Sequence, residues 1–139
     1  MSLVRRDRRG TQAIEFALVL PLMLALVAGT TDFAFYFMRD STFRNAVHLA
    51  ARTASATSAT ADGEAAFAAA LGPRVTAEGF DVATLTTTAT QSGTAGDRFL
   101  EVSASLPWGG LSGLVPHPDT LAVSLRIRME DQEVIDTGG

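Results

Sequence analysis

Between Phe16 and Thr31 the chain reads FALVLPLMLALVAGTT without a charge, and after Asp32 the apolar character resumes as FAFYFM. From Ala13 to Met38 there are 26 residues, enough for a helix rising about 1.5 Å per residue to cross a hydrocarbon core of about 30 Å. A helix that is apolar on every side belongs in a membrane or at the centre of a large core. A chain of 139 residues with 7% aromatics offers too little to bury such a helix. The segment is therefore expected to span a membrane, leaving room for one small domain beside it.

Charge gives that span a direction. Residues 1–10 hold Arg5, Arg6, Arg8 and Arg9 against Asp7, whereas from Thr11 onward seven arginines face fourteen acids. Positive charge gathers on the cytoplasmic side of a span, so the N-terminus is expected inside and everything after about Met38 outside. The acidic remainder would repel phosphate backbones, which excludes a nucleic-acid partner. With no cysteine, disulfides, thiolate metal sites and a cysteine nucleophile are excluded as well.

The expected organisation is a cytoplasmic leader over 1–10, a transmembrane helix over 11–38, an extension of that helix over 39–60, an extracytoplasmic head over 61–130 and an acidic tail over 131–139. Phe43, Val47, Ala50, Ala51 and Ala54 recur at helical spacing, with Arg44, His48 and Arg52 on another side, so the helix runs on past the membrane. A second helix is read from Glu64 to Leu71, stopping at Gly72-Pro73. Beyond Phe80 the texture becomes β, with strands expected over Val82–Thr90, Phe99–Leu106 and Leu121–Met129. In the last, Leu121, Val123, Leu125, Ile127 and Met129 alternate with polar residues, the mark of a strand with one buried face. The fold class is α+β, with an antiparallel sheet of about three strands. Such a sheet needs a cover for its apolar face, and the two helices are the available covers.

Nothing along the chain supplies catalytic chemistry. There is no activated-serine context, Gly-rich phosphate loop or paired histidine with ligand spacing. His48 and His117 read as surface residues, and Trp108 either anchors the Pro107–Pro118 loop or faces a partner. Glu15 and Asp32 lie seventeen residues apart on one helix, about 25 Å by helical rise, too far to act as a catalytic pair. The chain is expected to be no enzyme, with no metal, cofactor or small-molecule substrate.

The start of the apolar run carries its own pattern. A secretory signal places its cleavage site after the apolar stretch, but here the basic RRDRRG ends at Gly10, before it, and TQAIEF follows with Glu15 at the membrane edge. An ionised acid there is costly unless paired or at the interface. It either serves intersubunit pairing or marks the helix start, where negative charge suits the dipole. Pro21 inside the helix removes an amide donor and is expected to kink it. Asp32, near the far end, reads as an interfacial acid or a candidate intersubunit contact. Ala17, Ala25, Ala28 and Gly29 are small enough for close helix approach.

This order resembles the class III signal of type IV pilin-like proteins, in which a membrane aspartyl peptidase cuts after Gly and the helix is retained. The resemblance implies that Gly10 precedes the cut, that Thr11 becomes the new N-terminus and that Glu15 pairs with the Thr11 amine of a neighbouring subunit to set register. Thr11 stands where the larger pilin class commonly has Phe. The string AIEFALVLPLMLALVAGTTDFAFYF, followed by FRNAVHLAARTAS with its Ala50, Ala51 and Arg52, is similar to the TadE-like branch of Flp/Tad minor pilins. The likeness is clear over residues 9–54. It implies a pilin-like fold and a minor pilin, or pseudopilin, needed for assembly or function of an adhesive Flp/Tad (type IVb-like) pilus. Its partners would be a prepilin peptidase, other pilins, Tad-type platform proteins and the lipid bilayer. The implied location is the bacterial inner membrane, single-pass, with entry into a surface pilus. Two other readings stay open: an uncleaved signal-anchored envelope protein that binds an extracytoplasmic partner, and a type II secretion pseudopilin.

Overall fold

The computed structural model describes residues 8–56, 62–94, 97–111, 116 and 118–130, with the side chains of Arg8 and Arg9 outside the description. The chain is α+β, as the sequence pattern implies. Helix α1 spans Arg8–Ser55 and α2 spans Gly63–Ala77. A 3₁₀ turn over Val82–Thr84 precedes strands β1 (Thr86–Thr94), β2 (Asp97–Pro107) and β3 (Thr120–Arg128). Two compact units divide these elements, one of residues 1–36 with 110–117, the other of 37–109 with 118–139.

In the first unit α1 is apolar and bare. Ile14, Phe16, Leu18, Leu22, Leu24 and Leu26 are all exposed, and the helix passes through Pro21 without interruption. Shielding begins further on, at Ala28, Gly29, Asp32 and Tyr36. Their three- and four-residue spacing puts these positions on one side of the helix.

The second unit holds the buried core. Along α1 it takes Phe43, Ala46, Val47, Ala50, Ala51 and Ala54, the stripe that the helical spacing predicts. The helix ends at Ser55 with a turn at Ala56, and positions 57–60 of the expected extension lie outside the described residues. Asp62 then caps α2, its carboxylate accepting the Glu64 and Ala65 N–H groups at 3.0 and 3.1 Å, which satisfies donors that a helix start leaves open.

One boundary differs from expectation. Helix α2 does not stop at Gly72-Pro73 but continues through both to Ala77. Phe67, Leu71 and Val75, four residues apart and fully buried, carry an apolar stripe past the proline, and burial outweighs the lost amide bond. The Ala69 carbonyl that Pro73 deprives of a donor belongs to an exposed residue, where water serves it. The stop is Gly79, at φ 74°. The Phe80 N–H reaches the Val75 carbonyl at 3.0 Å and the Gly79 N–H that of Thr76 at 3.0 Å, the paired bonds of a Schellman cap. Phe80 then meets Phe43 edge-on at 5.8 Å between ring centres.

The sheet is antiparallel in the order β1-β2-β3. Its buried face stacks Leu100, Val102, Ala104 and Leu106 of β2 beside Leu121 and Val123 of β3. Leu125 and Ile127 are half-buried and Met129 is buried just beyond the strand, so the alternation read from the sequence holds. β1 begins four residues later than expected. Asp81 holds Val82–Thr84 in a turn instead, its carboxylate accepting the Ala83 N–H at 2.9 Å and its carbonyl the Thr84 N–H at 3.2 Å. Such local bonding by Asp competes with strand pairing. The sheet's other face is open and rich in hydroxyls, with Thr86, Thr88, Thr90, Ser103, Ser105 and Ser124 along it. Gly63 is buried where an added Cβ would meet the Gln91 amide and lie 3.3 Å from the Met129 methyl, so the start of α2 sits close on the sheet.

Candidate functional site

The residues that the sequence singles out lie along α1. Gly10 and Thr11 are exposed in its first turns. A Cβ placed on Gly10 would meet nothing within 4 Å. Arg5 and Arg6 lie outside the described residues. Arg8 and Arg9 are helical in backbone.

The two acids of the apolar stretch stand in contrasting surroundings. Glu15 is exposed, and it has no hydrogen-bond or ion-pair partner among the described residues. Asp32 is only 5% exposed, and its Oδ1 accepts the backbone N–H of Leu111 at 3.2 Å. The acid that sequence reading left as an interfacial or intersubunit group is thus bonded within its own chain. Sequence alone held one hint, the Gly/Pro-rich loop that follows β2, but no periodic signal ties a loop to a helix 79 residues away.

The small residues are divided in the same way. Ala17 and Ala25 are exposed, whereas Ala28 and Gly29 are half-shielded. Thr30 and Thr31 turn their hydroxyls back onto the carbonyls of Leu26 and Val27 at 2.8 and 2.9 Å. Their polar groups are therefore satisfied by the helix itself.

In the second unit, Arg39 donates to the Glu78 carbonyl at 2.9 Å and lies over the Phe80 ring at 5.0 Å. Arg44 pairs with Asp40 at 2.7 Å. His48 is exposed, as expected, and His117 lies outside the described residues. Trp108 is half-buried and its backbone N–H donates to the Asp119 carbonyl at 2.7 Å, closing the neck of the loop between β2 and β3.

The described residues contain no group of three or more His, Cys, Asp or Glu placed to hold a metal ion. A concavity of about 480 Å³ on the open sheet face is lined by Thr88, Thr90, Ser103, Ser124 and the exposed pair Glu101–Arg126, 3.3 Å apart. An ion pair so open to water contributes at most about 1 kcal/mol. What the molecule presents instead is a bare apolar helix, long and hydrophobic enough to be a candidate membrane span.

Comparison with known proteins bears on that helix alone. No curated protein and no solved structure matches the chain. The family described as TadE-like protein matches residues 10–52, from the proposed cleavage glycine through the Ala-Ala-Arg element. That family points to Tad pilus systems and is not a family of enzymes. Over residues 10–52, its N-terminal helix, the chain is thus similar to the TadE-like family.

Proposed function

We propose that the protein is a minor pilin or pseudopilin of a Flp/Tad-type pilus, inserted once in the bacterial inner membrane with its N-terminus inside, and cut after Gly10 by a prepilin peptidase. The observation that carries this reading is the coincidence of the TadE-like match, residues 10–52, with a helix whose apolar side chains are bare from Ile14 onward. Packing is the mechanism. The helix first lies among lipid chains and then exchanges them for neighbouring pilin helices, while the head provides contacts to other pilins or platform proteins.

Glu15 supports the assembly step by what it lacks. Among the described residues it has no partner, whereas Asp32 is already bonded to the Leu111 N–H. A neighbour's Thr11 amine, freed by cleavage, would supply the missing charge. The pair would form at the edge of a low-dielectric layer, where such an attraction is strong.

Co-expression with a prepilin peptidase, read by intact mass, tests the processing step. The mature chain is expected to lose residues 1–10, and Gly10→Leu to abolish that loss without disturbing the fold, since Gly10 has open space around it. An unchanged mass would favour an uncleaved anchor. Glu15→Ala is expected to be cut normally but to impair pilus assembly, and full piliation in that variant would remove the pairing role. Capture of type II secretion platform proteins in place of Tad proteins would reassign the system.

A further inference from the structure

Arg39 is the first charge after Asp32, and Phe33, Phe35, Tyr36 and Phe37 precede it. Aromatic residues concentrate where hydrocarbon meets headgroups, and an arginine at the end of a spanning helix keeps its guanidinium in the polar layer. Where α1 spans a bilayer, Arg39 therefore stands at headgroup level.

The second unit fastens one corner of the head to that arginine. Arg39 donates to the Glu78 carbonyl at 2.9 Å, and its guanidinium lies 5.0 Å over the Phe80 ring. Helix α2 brings the chain back to this point. It starts where Gly63 lies against Gln91 and Met129, close to the end of α1, whose Ser55 carbonyl accepts the Glu130 N–H, and it finishes beside Arg39. β1 then leads away again, its nine residues at about 3.3 Å each putting Thr94 about 26 Å from Thr86. Residues 78–85 thus form the end of the head at the level of Arg39.

The surface of this corner suits a headgroup layer. Among the described residues of the second unit, the exposed large hydrophobic side chains are Phe37, Met38, Leu49 and Val82. Phe37 and Met38 directly precede Arg39, and Val82 follows Phe80 by two residues, so all but Leu49 gather at this end. The turn that carries Val82 meets its own polar groups. The Ala83 N–H donates to the Asp81 carboxylate at 2.9 Å, and the Thr84 and Leu85 N–H groups donate to the carbonyls of Asp81 and Val82 at 3.2 and 3.1 Å. Glu78 and Asp81 are exposed beside it, which favours zwitterionic over anionic lipid.

We propose that the corner formed by residues 78–85 rests on the zwitterionic headgroups of the extracytoplasmic leaflet, with Val82 against the lipid and Arg39 as the positioning residue that holds the corner at that depth. The proposal rests on α1 being a membrane span, and its test separates the two.

The chain has no cysteine, so a bimane fluorophore can be placed singly at Leu22→Cys, Val82→Cys or Thr94→Cys in the full chain, reconstituted in phosphatidylcholine vesicles. Quenching is read from trace lipids spin-labelled either at the headgroup or along the acyl chain. Position 22 is expected to be quenched by the acyl-chain label, position 82 by the headgroup label and position 94 by neither. A fluorophore at 82 no more quenched than one at 94, with 22 still quenched, overturns the proposal and leaves the span intact. No quenching at 22 overturns the span and the proposal with it. In the Val82→Cys background, Arg39→Ala is expected to lose the headgroup quenching, and Arg39→Lys, which keeps a cationic donor, to retain it. Quenching that persists with Arg39→Ala overturns the positioning role. Replacing part of the lipid by phosphatidylglycerol is expected to weaken quenching at 82, and stronger quenching there overturns the preference for zwitterionic headgroups.

Discussion

At the scale of single residues, the head depends on a few side chains with quantifiable roles. Phe67 is fully buried on α2, and Phe67→Ala is expected to cost about 3–5 kcal/mol, because a cavity is added to the lost transfer energy. Denaturant unfolding of the full chain in detergent, followed through Trp108 fluorescence, reads that loss as a lower midpoint. Asp62→Ala removes an acceptor from two amides and is expected to cost about 1 kcal/mol by the same measurement. The core residues of α1 were legible from spacing alone, since an apolar side chain every three or four positions has only one side to hide. Asp32 was not legible. Whether an acid in an apolar stretch is bare like Glu15 or bonded like Asp32 depends on a backbone N–H from the far end of the chain, and no local pattern records that.

At the scale of elements, the proline in α2 shows which local signal yields. Gly72-Pro73 reads as a stop by propensity, yet the buried Leu71 and Val75 hold the helix through it. The Gly79-Phe80 pair, with an apolar residue after the glycine, was the signal for the end, and the Schellman cap makes it effective. Because Pro73 is exposed inside a helix, Pro73→Ala is expected to raise stability by about 1–3 kcal/mol, visible as a higher melting temperature. Gly93 acts in the opposite direction. It has φ 104° at the end of β1, and an added Cβ would strike the Asp97 backbone. Gly93→Ala is expected to destabilise the hairpin by about 1–3 kcal/mol, with reduced β signal in circular dichroism at elevated temperature. β3 was legible almost to the residue because strict alternation has one structural meaning. The start of β1 was not, because Asp81 captures the preceding residues in a turn.

At the scale of the whole molecule, every fully buried hydrophobic side chain among the described residues lies between Phe43 and Leu121, all within the second unit. A fragment of residues 37–139 is therefore expected to fold and unfold cooperatively without the apolar span. One starting at Ala56 discards Phe43, Val47, Ala50, Ala51 and Ala54 and is expected to show no cooperative transition in calorimetry. The fold class was readable from the sequence, since one long apolar helix followed by alternating strands admits few arrangements. The proposed processing and assembly roles are not written in packing, because cleavage and pairing would involve other molecules.

The order of the strands also sets a timetable. β1 and β2 are neighbours in sequence and can pair as soon as both have emerged, but a lone hairpin is marginal in water. β3 arrives last, bringing Leu121, Val123 and then Met129 to the core, and the Glu130 N–H closes onto the Ser55 carbonyl at 3.1 Å. Synthesis runs from the N-terminus, so the apolar helix is committed to its surroundings long before the head can finish. A ribosome that stalls before Thr120 leaves an unfinished protein, with the Leu100, Val102, Ala104 and Leu106 face still waiting for its last partner, and such a product is open to proteolysis.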